Sequence, residues 1–179
     1  HIAFINRKTP ETSSWTYAHE LGRLYLKDAF HGSVQTKAYD NISGTDNAIA
    51  AIEQAIADGN EMIFTTSPEF LSASLRAAVD HPEVKILNCS LNASHKYIRT
   101  YYGRMYEAKF LIGVLAGVMT DTDKIGYIAD YPIYGMTANI NAFALGVKMV
   151  NPKAKVYLEW STLKENEHVD LTGKLYALG

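Results

Sequence analysis

The chain has 179 residues, 47% hydrophobic and 20% charged, a globular composition that argues against disorder. Seventeen Lys and Arg face nineteen Asp and Glu, a formal net charge of -2 with no block of like charge, which argues against a nucleic-acid groove binder. The longest apolar run, Phe110 to Met119, falls far short of the ~20 residues that span a bilayer, and a single cysteine, Cys89, excludes an internal disulfide framework and a cysteine zinc cluster.

The length fits one domain or two small ones. The chain opens directly on Ile2-Ala-Phe-Ile-Asn6, an apolar run that predicts a buried strand and reads as a trimmed start without a signal peptide. Arg7 to Ser14 is a polar loop. Ala18, Leu21, Leu24, Tyr25 and Ala29 recur at helical spacing and predict a helix over 16–30. Val34 to Tyr39 alternates and predicts a second strand. Ile49, Ile52 and Ile56 share a face of a helix over 47–57, stopped by Gly59. Glu61 to Thr66 is a third strand. Ser67-Pro68 then supplies a cap and a first-turn proline for a helix expected to bury Leu71, Leu75, Ala78 and Val79, ending before Pro82. Val84 to Cys89 is a fourth strand.

Tyr97 to Tyr102 predicts a strand or a crossing segment, and Arg104 to Met119 a long apolar helix. Thr120-Asp-Thr-Asp123 interrupts the pattern. A strand restarts at Lys124–Ala129, followed by a helix over 137–150 and a strand over 155–160. Residues 162–179 carry no clear pattern. Strands alternating with helices through long connections imply parallel βαβ units, and so a doubly wound, Rossmann-like three-layer α/β sheet. The strands are continuous apolar runs, as when helices cover both faces. A first lobe is expected over 1–121 and the start of a second over 122–179; the alternative is that the restart at Lys124 extends the same sheet.

No phosphate loop, nucleophile elbow or zinc-protease motif occurs, and the six His show no metal-ligand spacing, so no catalytic residue, metal or cofactor is implied. His19 reads as a loop-packing histidine and Cys89 as an inert core thiol. Gly113 and Gly117 suggest a close helix–sheet contact. The remaining candidates follow strands, at the sheet edge where ligands of open α/β folds bind. They are Trp15, Thr66, Ser67, Ser90, Asp130 and Tyr131. An aromatic there suits a flat ligand or a sugar face, and twelve Tyr fit a site built on stacking.

Six segments in register, Ser14-Trp-Thr-Tyr-Ala-His19, Phe64-Thr-Thr-Ser67, Arg104-Met-Tyr-Glu107, Lys124-Ile-Gly-Tyr127, Pro132-Ile133 and Ile140-Asn-Ala-Phe143, resemble the motifs of the basic membrane protein family. That resemblance implies a type I periplasmic-binding architecture of two lobes, of which this chain holds the first and an incomplete second. It implies non-enzymatic binding of a purine nucleoside or nucleobase by the substrate-binding lipoprotein of an ABC importer, anchored outside the cytoplasm. The partners would be the small ligand and the permease subunits, with no nucleic acid and no membrane insertion of this segment. Position by position, Trp15 and Tyr131 match stacking aromatics, and Thr66 and Ser67 a polar pair. Thr12 stands where relatives often carry an acidic residue, and Leu163 to Asn166 replaces a tryptophan-containing loop. A ligand-sensing domain of a regulator or receptor on the same scaffold is the alternative.

Overall fold

The computed structural model describes residues 1–90, 96–129, 135–161 and 170–177. They form two compact units, His1–Tyr102 and Gly103–Gly179.

The first unit runs β1 (Ile2–Ile5), α1 (Ser14–Ala29), β2 (Thr36–Tyr39), α2 (Thr45–Ala57), β3 (Met62–Thr65), a 3₁₀ turn (Pro68–Phe70), α3 (Leu71–Asp80), β4 (Lys85–Cys89) and β5 (Arg99–Tyr101). The strands form one parallel sheet in the order β2-β1-β3-β4-β5. The sheet first grows to one side of β1 and then to the other, so the direction of winding reverses between β1 and β3. This is the parallel α/β sheet expected from the alternation of strands and helices.

Local chemistry sets the helix starts. The Ser13 hydroxyl accepts from Thr16 N–H at 3.3 Å, so α1 begins two residues before the expected Thr16. The Ser67 hydroxyl likewise accepts from Glu69 N–H, with Pro68 in the first turn. Gly59, at φ +83°, turns the chain out of α2.

Successive strand residues face opposite sides of the sheet. On one side Ala3, Ile5, Ile63 and Ile86 pack against α2 and α3 through Ala48, Ala51, Ile52, Ala55, Phe70, Ala73 and Ala77. The buried face of α3 is therefore Ala73, Ser74, Ala77 and Ala78; Leu71 and Leu75 are partly buried, and Val79, expected inside, is exposed. Small side chains let α3 approach the sheet closely, which turns the helix away from the stripe its larger residues suggest. On the other side Phe4 stacks on Phe64 at 5.0 Å, and Phe64 meets the Tyr101 ring edge-on at 5.6 Å. There α1 contributes His19, 6.1 Å from the Tyr101 ring. Leu21, Leu24 and Tyr25 of α1 remain exposed.

In the second unit β6 (Lys124–Ala129) pairs in parallel with β7 (Lys155–Trp160), in a sheet separate from the first. Helices α4 (Met105–Met119) and α5 (Met136–Val150) pack together, and α6 (Leu171–Tyr176) is capped by the Asp170 carboxylate. Tyr127, Ala129, Phe143 and Val147 form the core, with the rings of Tyr127 and Phe143 4.9 Å apart. By its packing α4 lies within the second unit, although the sequence placed it in residues 1–121. The glycine pair of α4 serves a helix, not a sheet. A Cβ on Gly113 would lie 2.1 Å from Phe143 O, and one on Gly146 would lie 2.1 Å from Phe110 O.

Candidate functional site

The winding reverses between β1 and β3, and in this topology the crevice outside the carboxyl ends of such strands is where ligands bind. Two polar residues meet there. Asn6 follows β1 and is 1% exposed; Thr66 follows β3 and is 1% exposed. The Thr66 hydroxyl lies 2.9 Å from Asn6 Oδ1 and 3.0 Å from Ile5 O, while Thr66 N–H donates to Ile5 O. Asn6 Nδ2 donates in turn to Asp40 Oδ1 at 2.8 Å. A chain of polar contacts thus crosses the ends of β2, β1 and β3.

Trp15 sits in the first turn of α1, where the Ser13 cap fixes its position. Its indole Nε1–H donates to Thr66 O at 2.7 Å, which places the ring beside the end of β3. The ring is tilted against His19 at 5.1 Å and Tyr102 at 6.1 Å, and 37% of the residue is exposed. His19 Nδ1 lies 2.9 Å from Trp15 O, and burial lowers the pKa of its imidazole, which favours the neutral ring.

The loops around the crevice are tied together. Glu69 Oε1 accepts from Gly44 N–H at 2.8 Å, and Glu69 Oε2 pairs with Arg7 at 3.0 Å. One carboxylate therefore joins the segments that follow β1, β2 and β3. Beneath it Asn88 Nδ2 donates to Thr65 Oγ1 at 2.8 Å and to Ser67 O at 2.9 Å, holding the turn into α3.

Of the residues singled out in the sequence, Trp15 and Thr66 come into direct contact. Ser67 caps the 3₁₀ turn. Ser90 follows β4; it is buried, and among the described residues its hydroxyl has no hydrogen-bond partner. Asp130 and Tyr131 lie outside the described residues. The sequence reading missed Asn6, Asp40 and Glu69. Asn6 stands out only once the strand order is known, as the polar residue that directly follows a buried strand at the winding reversal.

Burial pushes the Cys89 thiol up to about 11, so it stays protonated at neutral pH. Among the described residues no group of three or more His, Cys, Asp or Glu could hold a metal ion, and no helix is long and apolar enough to cross a membrane.

Comparison with known proteins follows the same line. A purine-binding protein of Brucella abortus is 30% identical over 159 residues, covering 89% of this chain and 45% of that protein. A Haloferax volcanii protein provisionally assigned as an ABC transporter glucose-binding protein is 27% identical over 146 residues, covering 82% of this chain and 37% of its own length. The chain thus spans less than half the length of these curated relatives. The solved structure of a solute-binding protein from Conexibacter woesei superposes with a TM-score of 0.65 at 16% identity, over 99% of this chain and 60% of that one, a likeness of fold. Residues 1–176 match the family described as ABC transporter substrate-binding protein, PnrA-like, and the chain belongs to that family.

Proposed function

We propose that the protein binds a purine nucleoside or nucleobase without turning it over, as the substrate-binding component of an ABC importer. The observation that carries this reading is the placement of Trp15. Its indole is anchored through Nε1 to Thr66 O beside the β1–β3 crevice and remains partly exposed. A ring fixed at its edge in this way offers a preorganised flat surface at little entropic cost. Thr66 supports both Trp15 and Asn6, while Ser67 and Ser90 supply hydroxyls near the same edge. Asp130 and Tyr131 complete the set as proposed ligand contacts, Tyr131 as a second stacking face. The 30% identical purine-binding relative supports the ligand class. The protein acts outside the cytoplasm as a membrane-anchored lipoprotein and delivers its ligand to permease subunits; the family match supports this placement.

The relative assigned to glucose favours a second reading, a sugar-binding protein, in which Trp15 stacks on a pyranose face. Titration calorimetry of the intact protein with adenosine, guanosine, inosine and glucose separates the two. The expected result is purine binding and no glucose binding; the reverse overturns the ligand class. Trp15→Ala is expected to weaken purine binding by about 1–3 kcal/mol, the size of base–aromatic stacking, or roughly 5- to 150-fold. Equal affinity of the two proteins removes Trp15 from the site.

A further inference from the structure

The geometry points to Asp40 as the group that recognises the sugar hydroxyls of a nucleoside and so selects nucleosides over free bases, an inference that rests on the purine-binding reading. Asp40 directly follows β2, the strand on the far side of β1 from β3. Its carboxylate is half-buried and oriented by Asn6, whose Nδ2 donates to Oδ1 at 2.8 Å. Asn6 is itself immobilised: it is 1% exposed, its Oδ1 lies 2.9 Å from the Thr66 hydroxyl, and its backbone N–H and C=O bond Tyr39 O and Ile42 N–H. The acid is therefore held by a buried amide with no rotational freedom of its own. Among the described residues the Asn6 bond engages Oδ1 and leaves Oδ2 for a further donor.

Arg23, which feels the negative charge of Asp40, directs its N–H groups elsewhere. It makes bonds of 2.8 and 2.6 Å to the Glu20 carboxylate and 2.7 Å to the Thr36 hydroxyl. Asp40 thus keeps a charged acceptor at the edge of the crevice. Thr66, Ser67, Asn6 and Ser90 near it are neutral, and the Glu69 carboxylate is engaged by Arg7 and by Gly44 N–H.

Spacing assigns which part of the ligand this acceptor meets. The Trp15 indole is bound at the end of β3, and Asp40 stands at the end of β2, two strands away. Two inter-strand spacings are about 10 Å, the span of a nucleoside from the base to the far side of its ribose. A base stacked at Trp15 directs its sugar along the Asn6 edge toward Asp40. A carboxylate accepts hydroxyl donors strongly, and a free base presents no hydroxyl at that distance.

Titration of adenosine, 2′,3′-dideoxyadenosine and adenine into the intact wild-type protein, Asp40→Asn and Asp40→Ala tests this. Asp40→Asn retains an oxygen for Asn6 and removes the charge. The expected result is adenosine binding by the wild type that is tighter than binding of dideoxyadenosine or adenine. Both variants should lose about 10- to 100-fold of adenosine affinity, the cost of a hydrogen bond to a charged acceptor, and bind adenine as the wild type does. Unchanged adenine binding also reports that each variant is folded. Equal loss for adenosine and adenine reduces Asp40 to a structural residue and overturns the inference, as does no loss for either. A wild-type protein that binds none of the three overturns the purine reading itself.

Discussion

At Asp58 three donors converge on one carboxylate that closes the end of α2. Lys37 Nζ pairs with it, Tyr39 OH donates at 2.6 Å and Gln54 Nε2 at 2.8 Å. These bonds hold its pKa down to about 2 from an ordinary 3.8. A carboxylate whose folded pKa is depressed adds stability above its unfolded pKa, and that stability is lost as pH falls through the folded value. The melting temperature of Asp58→Asn should therefore lie below that of the wild type at pH 6 to 7. The gap should close between about pH 4 and 2, the interval between the two pKa values. Thermal melts followed by circular dichroism across that range check it; a gap that persists unchanged at acid pH refutes the assignment. At this scale the sequence was only partly legible. Trp15 could be found because an aromatic after a strand is unusual enough to notice. Asn6 and Asp40 look like ordinary loop residues in one dimension. Their meaning comes from the strand order, which brings residues 34 positions apart into one hydrogen bond.

Among the elements, the contact of α4 with α5 is the most sharply defined by its residues. Gly113, Gly117 and Gly146 bring backbone against backbone, with no space for a methyl group. Gly113→Ala should destabilise the second unit by about 1–3 kcal/mol, because the clash is with the Phe143 carbonyl and not with a movable side chain. Gly22→Ala is the control: Gly22 lies inside α1 with nothing within 4 Å, so alanine should stabilise by about 0.5–1 kcal/mol through helix propensity alone. Urea unfolding of both variants measures the pair, and a Gly113→Ala protein as stable as wild type would contradict so close an approach. Strands β1, β3 and β4 could be read from the sequence because buried parallel strands are largely apolar runs, and β6 and β7 because short apolar and aromatic stretches stand out between polar ones. The burial of α3 could not, since alanines carry little hydrophobic signal and win their place by size. The glycine pair announced a close contact but not its partner. Helix α6 was invisible: six residues with a glycine inside offer no period to detect.

The whole chain carries two tryptophans, one in each unit, so each unit has its own fluorescent probe. Among the described residues thirteen buried apolar residues make the first core and four make the second. In denaturant, Trp160→Phe, which leaves Trp15, should report a higher midpoint than Trp15→Phe, which leaves Trp160. Coincident midpoints would show instead that the units unfold as one cooperative system. The outer edge of the first sheet has a bearing on the molecule's life at high concentration. Among the described residues strand β2 pairs with β1 alone, and an open border of that kind invites a strand from another molecule to add to it. Lys37 stands on this border, tied with Tyr39 to Asp58 at the end of α2. An incoming strand would have to strip that ammonium group of its counter-charge and its water, so the cluster acts as a guard against fibril growth by edge addition.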